Sequence, residues 1–274
     1  MTERLLVALD IDGTVLMEDG EISDAVHEQV SRVRDAGHEV MLATGRAPSM
    51  TLPVLERLEL TSEYIVCSNG AVTLRRDPDA PVGYARDHVE TFDPTAVLLT
   101  VREHLKGADF AVEDEHGLFK YTGWFSNGTV GATAEKVDFE ELLNRQATRV
   151  VVISPEHEVK EFLHIVERMG LHQVSYNVGW TAWLDIAPDG VNKATALERV
   201  RESLGIRRGN VIAIGDGRND IDMLRWASEN GHGVAMGQAP EEVREVANTF
   251  TAHGDDDGVA LILEELVPGR LASA

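Results

Sequence analysis

A single cysteine, Cys67, stands among the 274 residues, so no disulfide can form within the chain and packing must hold the fold. It follows the apolar run Tyr64 to Val66, which makes it a small buried residue rather than a reactive thiol. Basic residues are scarce as well: 25 Lys and Arg face 47 Asp and Glu, a formal charge of −22. A surface of that sign repels phosphate backbones and anionic lipids, so neither nucleic acid nor a membrane surface is an expected partner. Any anionic ligand needs a locally positive pocket. Apolar runs are strand-sized, well short of the ~20 residues that span a bilayer, and Met1 to Glu3 opens no secretory pattern. A cytoplasmic location is expected. The histidines are scattered, with no metal-like spacing on one expected helix.

What is present is a regular alternation. Leu5 to Leu9 predicts a strand, Ser23 to Ala36 a helix capped by Ser23 and closed by Gly37, and Glu39 to Ala43 a second strand. Pro48 to Leu58 predicts a helix and Tyr64 to Cys67 a third strand. The rhythm returns with a helix at Asn192 to Leu204, a strand at Val211 to Ile214, a helix at Asp220 to Glu229 and a strand at Gly233 to Ala235. Strands alternating with helices imply right-handed parallel crossovers, so both ends of the chain are expected in one doubly wound, Rossmann-like α/β sheet.

The middle differs. Arg75 to Pro81 is charged and proline-bearing, as a linker would be. After it, strands come in pairs, Phe110 to Glu113 with Leu118 to Tyr121 and Gln173 to Val178 with Thr181 to Ile186. Helices at Pro94 to Leu105 and Glu156 to Met169 and a strand at Arg149 to Ser154 accompany them. The expected organisation is a core built from residues 1–80 and 189–274, interrupted by an inserted α+β domain at 81–188.

In an open α/β sheet, ligands bind outside the carboxyl ends of the strands. Four such ends are polar: Asp10-Ile11-Asp12-Gly13-Thr14, Thr44-Gly45-Arg46, Ser68-Asn69-Gly70 and the segment Gly215 to Asp220. Asp10, Asp12 and Asp216, brought together, would repel one another and have raised pKa values unless a cation joined them. Oxygen-only ligation by few protein groups suits Mg²⁺, which keeps waters and accepts an oxygen from a phosphate. Thr44 supplies a hydroxyl, Lys193 a compact positive charge, and backbone N–H groups at the turns further donors. The pattern predicts a site for a phosphorylated small molecule.

These residues closely resemble the haloacid dehalogenase-like phosphatase superfamily, in particular its Cof-type branch of sugar-phosphatase-like hydrolases with a large inserted cap. The family's DxDGT motif matches Asp10 to Thr14, its Ser/Thr before Gly-Arg matches Thr44 to Arg46, its helix-opening lysine matches Lys193, and GDxxNDxxML matches Gly215 to Leu224. Ser68 to Ala71 and Gly233 to Gly237 also resemble this branch. Each motif is short, but four in the family's order are jointly specific. One local departure lies at His253 to Ala260, where the family often has Asn before an acidic segment.

The resemblance implies an aspartyl-phosphate mechanism. Asp10 would be the nucleophile and a Mg²⁺ ligand. Asp12 would serve as general acid and then base, its carbonyl ligating the metal. Asp216 would be the third ligand and Asp220 would support the ligands from behind, while Asn219, Thr44, Gly45 and Lys193 would serve phosphate binding. The insert would be a cap that excludes water and contacts the leaving group, and Tyr121, Trp124, Phe125, Tyr176, Trp180 and Trp183 are its aromatic residues. Most of these are expected to pack the cap's own core. The implied activity is hydrolysis of a small phosphomonoester, sugar phosphates being one candidate class. A phosphomutase or phosphotransferase using the same intermediate, and a non-enzymatic phosphometabolite sensor, are the competing functions. The Asp10 and Asp12 pair argues against the sensor, because binding alone needs no acid beside a nucleophile. The oligomeric state is not legible in these residues.

Overall fold

The computed structural model describes residues 3–17, 19–125, 134–171, 174–178 and 182–267. The strands are β1 (Leu6–Leu9), β2 (Glu39–Leu42), β3 (Tyr64–Cys67), β4 (Val72–Arg76), β5 (Tyr84–Val89), β6 (Asp109–Glu113), β7 (Phe119–Tyr121), β8 (Glu135–Lys136), β9 (Arg149–Ile153), β10 (Val174–Val178), β11 (Trp183–Pro188), β12 (Val211–Gly215), β13 (His232–Ala235) and β14 (Thr249–Phe250). The helices are α1 (Asp24–Asp35), α2 (Pro48–Arg57), α3 (Thr95–His104), α4 (Val159–Met169), α5 (Lys193–Ser203), α6 (Ile221–Ser228), α7 (Glu241–Arg244) and α8 (Gly258–Leu266).

β1 reads LVAL with every residue buried, as a central parallel strand must when both faces are covered. Val7 and Leu9 pack with Val26, Val30 and Val33 of α1 and with Ile262 and Leu263 of α8. Leu6 and Ala8 turn to Leu197 and Val200 of α5 and to Met223 and Leu224 of α6. The resulting sheet has the order β14-β13-β12-β1-β2, all parallel. The doubly wound α/β architecture predicted from the alternation is therefore present. Ser23 caps α1 through its hydroxyl, which accepts from Val26 N–H, as the sequence predicts. Cys67 is fully buried, and burial pushes its thiol up to about 12, which keeps it protonated and inert.

The segment expected as a linker is instead a hairpin. Arg75 and Arg76 complete β4, and a turn closed by Asp77 N–H to the Gly83 carbonyl returns the chain along β5, antiparallel to β4. Proline and charge mark a turn as readily as a linker, and the half-buried β5 lacks the apolar run that would reveal it.

The second layer is a six-stranded sheet of order β10-β11-β9-β6-β7-β8, with antiparallel pairs at β6–β7 and β10–β11. The second pair was expected at Gln173 to Val178 and Thr181 to Ile186; Gln173 and Thr181 lie outside the described residues. One face, Phe110, Val112, Val150, Val152, Leu184 and Ile186, is covered by α3 and α4. The opposite face, through Ala111, Phe119 and Val151, packs on Ala47 and Met50 at the start of α2. This alternation aims one side of the sheet at the polar strand ends of the parallel sheet.

Gly70 shows how tightly the turn after β3 is built. Its φ is +100°, and an added methyl would lie 2.2 Å from the Asn192 carbonyl oxygen. We predict that Gly70→Ala lowers the unfolding free energy by more than about 1 kcal/mol, measured by denaturant titration; an unchanged midpoint would show that the turn can relax.

Candidate active site

Strand register assembles the site. Leu9 stands beside Ile214 and Leu42, so the residues that follow each, Asp10, Gly215-Asp216 and Ala43-Thr44, emerge at one edge. An isolated bridge between Ala43 and Val66 adds the turn after β3. The four polar strand ends predicted to converge do converge.

At the centre is Lys193, the first residue of α5, whose side chain is 0% exposed. Its Nζ donates to Asp10 Oδ1 and to Asp220 Oδ1, both at 2.6 Å. Burial by itself would lower the ammonium's pKa, but Asp10 and Asp220 outweigh it and hold Lys193 above its ordinary value. Asp220 is used on both oxygens, since Oδ2 accepts from the N–H groups of Asp216 (3.0 Å) and Gly217 (2.9 Å). It therefore shapes the loop that carries Asp216.

Asp10, Asp216 and Asp220 each offer a carboxylate oxygen within 4.8 Å of the other two. All three are buried, and with Lys193 as the ammonium between them, full ionisation leaves a surplus of negative charge. Burial, with repulsion from Asp220, raises Asp10 well above the usual carboxylate range despite Lys193. The same two causes push Asp216 up to about 7, opposed by hydrogen bonds from Gln238 and Thr14. An all-oxygen, electron-rich cluster of this kind fits a hard divalent cation.

Asp12 points elsewhere. Its side chain is 63% exposed and both oxygens are taken by Arg46, from Nε at 2.9 Å and Nη2 at 2.5 Å. Gly13 makes the divergence possible, because its φ is +79° and a methyl there would lie 2.3 Å from Asp216 Oδ2. Thr44 is buried, and its hydroxyl accepts from the Arg46 N–H at 3.0 Å. Gly45 lies against Asn69 and Asn219, whose amides are joined by Asn219 Nδ2 to Asn69 Oδ1 at 3.1 Å.

Gln238 escapes sequence reasoning, while Thr14 and Asn69 are legible only as members of polar strand ends. Thr14 was seen only as part of a motif, yet its hydroxyl donates to Asp216 Oδ1 at 3.3 Å. Gln238 Nε2 donates to the Gly13 carbonyl (2.5 Å) and Asp216 Oδ2 (3.3 Å), while its Oε1 accepts from Gly254 N–H. No local pattern marks a lone glutamine in a loop. Asn69 belongs to the polar end Ser68-Asn69-Gly70, but its partner Asn219 is distant in sequence and nothing local marks the pairing. Among the aromatics, Phe125 is buried, Tyr121 and Trp183 are half-buried, and Trp124 and Tyr176 are exposed; Trp180 lies outside the described residues. Trp183 Nε1 donates to Asp185 Oδ2 at 3.0 Å, and Asp185 in turn accepts from Arg149.

Because the folded chain binds the Asp216 proton more tightly than the unfolded chain, its contribution to stability is complete below about pH 4 and lost as pH rises through the folded value. We predict that, in chelator, Asp216→Asn flattens the fall in thermal stability between the ordinary carboxylate value of 3.8 and about 7. A pH profile identical to the unsubstituted chain would contradict this.

Comparison with known proteins places these features in context. The family model for haloacid dehalogenase-like hydrolases matches residues 7–263. The chain is 30% identical to the 5-amino-6-(5-phospho-D-ribitylamino)uracil phosphatase YitU of Bacillus subtilis, over 96% of this chain and 98% of that protein. It is 28% identical to a putative phosphatase of Haemophilus influenzae, over 94% and 97%. A solved sugar phosphatase of haloacid dehalogenase subclass IIB has the same fold, with TM-score 0.79 and 22% identity over 95% of this chain and 98% of that one. Among the described residues, no helix is long and apolar enough to cross a membrane.

Proposed function

The chain belongs to the haloacid dehalogenase-like hydrolase family, and from that membership we propose that it is a Mg²⁺-dependent phosphatase acting on a small phosphomonoester through an aspartyl-phosphate on Asp10. The observation that carries this proposal is the buried Asp10 carboxylate, tethered by Lys193 through one oxygen, beside the acidic loop of Asp216. The tether engages Asp10 Oδ1 and leaves Oδ2 free of Lys193.

Asp10 and Asp216, with the Asp12 carbonyl, would hold the Mg²⁺. When bound, the cation supplies charge neutralisation for the phosphoryl group and completes the electron-rich cluster. Asp10 attacks phosphorus, forming the carboxyl–phosphate bond as the bond to the leaving alcohol breaks. Asp12 gives its proton to that alcohol, then takes one from the water that cleaves the acyl phosphate. Arg46 occupies both Asp12 oxygens in this structure, so Asp12 must give up at least one of these contacts to reach a leaving group. Lys193, Thr44, Asn219 and the Gly45 backbone line the place for the phosphoryl oxygens, and Asp220 keeps Lys193 and the Asp216 loop in position.

The catalytic unit is proposed to be residues 1–80 and 189–274 and the cap 81–188, with the first boundary moved from residue 80 to follow β5 at Val89, because β5 pairs with β4. The leaving group then meets the cap face that carries Tyr121 and Trp183. YitU is named for a ribitylaminouracil phosphate and the subclass IIB structure is a sugar phosphatase. A polyol or sugar bearing one phosphate is therefore the substrate class to test first, in a cytoplasmic setting.

Phosphate release from a panel of sugar phosphates, nucleotides, cofactor phosphates and an aryl phosphate tests the proposal. We expect release that stops in chelator and with Asp10→Asn, and that falls by about 100-fold or more with Asp12→Asn. Release unaffected by Asp10→Asn would refute it, and product formed only with an alcohol acceptor would identify a transferase.

A further inference from the structure

One buried ionisable side chain has no part in the chemistry above. Glu113, the last residue of β6, is 0% exposed, and its Oε2 accepts from the Ser68 hydroxyl at 3.0 Å. Its other oxygen, Oε1, has no hydrogen-bond partner among the described residues. A carboxylate left with one unpaired oxygen inside a protein costs stability. Neighbouring cations do not remove that cost. Arg149 and Arg86 offset burial only in part and by charge: Arg149, opposite Glu113 in the β6–β9 register, is committed to Asp185 at 2.6 Å, and Arg86 of β5 keeps a buried Nη1 with no hydrogen-bond partner among the described residues.

The contact Glu113 does make is to a strained turn. Ser68 and Asn69 have φ of +48° and +51°, left-handed values that cost a serine roughly 1 kcal/mol or more and an asparagine less. Such a conformation persists only where its surroundings impose it. Here Ser68 N–H donates to the Arg46 carbonyl (2.8 Å) and Asn69 N–H to the Thr44 carbonyl (3.0 Å), so the turn is tied to the Thr44–Arg46 loop. The left-handed backbone then delivers the Asn69 side chain to Asn219. Ser68 is thus a point where the six-stranded sheet reaches, through one buried hydrogen bond, the loops that flank the proposed phosphate position.

We propose that Glu113 is a positioning residue: by holding Ser68 in its left-handed conformation it sets the Asn69–Asn219 pair, and it makes the geometry of the phosphate-binding loops depend on the seating of the six-stranded sheet. This rests on the phosphatase reading for its catalytic consequence, but not for its structural one. A stability role alone would select a paired or apolar residue at this place, whereas Glu113 is polar, buried and half-satisfied.

The test uses Ser68→Ala, Glu113→Ala, the double substitution and Glu113→Gln in the full chain. Two readouts are taken: amide hydrogen exchange at residues 68–70, and kcat/KM for phosphate release. Loss of the hydrogen bond is expected to speed exchange at Ser68 and Asn69 and to lower kcat/KM, each by about tenfold, in both single alanine variants. The double variant is expected to be no worse than either single, because both remove the same contact. Glu113→Gln, whose amide oxygen still accepts from Ser68, is expected to keep most of both properties. Unchanged exchange in both alanine variants, or losses that multiply in the double, would overturn the proposal. If the unsubstituted chain released no phosphate, the phosphatase proposal would fail while the exchange data would still decide this one.

Discussion

A lysine ammonium shut away from solvent between two carboxylates is the constraint on which the site depends. Lys193 has no exposed surface, and its bonds of 2.6 Å to Asp10 and Asp220 join the first turn of α5 to the ends of β1 and of the loop after β12. Taking such charges out of water costs several kcal/mol for each ion, and only near-ideal geometry offsets it. The surrounding fold supplies that geometry. Asn192 caps α5 with a reciprocal pair of hydrogen bonds to Thr195, fixing where Lys193 begins, and Asp220 is held by two backbone N–H groups. The remaining acidity, on Asp10 and Asp216, is what makes the cluster fit a divalent cation.

The parallel sheet explains why these groups meet. Three strands in matched register end in the same plane, so residues far apart in sequence become neighbours without any long loop to order them. The second sheet contributes through its face rather than its ends. Ala111, Phe119 and Val151 rest on Ala47 and Met50, directly after the Thr44–Arg46 loop, and Glu113 reaches Ser68 along the same face. The seating of the second sheet and the geometry of the Thr44–Arg46 loop therefore share a packed boundary, and Arg46, bound to Asp12, lies beside it.

Much of this was legible because the core obeys simple periodicities. The run Leu6–Leu9 is apolar at every position, α1 carries a serine cap, and Tyr64–Cys67 is bounded by a polar turn, so these elements were predicted within a residue or two. Asp10, Asp216 and Thr44 are legible as a group because parallel strands bring their carboxyl ends together, and Lys193, which opens α5, joins them as the positive charge that an anion site needs. Segments with weaker patterning were harder. Arg75 to Pro81 reads as a linker although it holds the end of β4 and the turn to β5, since the half-buried β5 carries charge and no apolar run. Gln238, Asn69 and Glu113 act through partners that are distant in sequence, and nothing local distinguishes a glutamine that bridges Gly13 and Asp216 from one on any surface loop. Ser68 is a further case, because a left-handed serine carries no signature of its own.

Covalent phosphorylation of Asp10 is tested by rapid acid quench during turnover, followed by peptide mapping of the trapped protein by mass spectrometry. One phosphoryl group is expected on the peptide containing Asp10, labile to hydroxylamine and formed at least as fast as product. Product accumulating with no phosphoryl group on the protein, or with the group on a different residue, would contradict it.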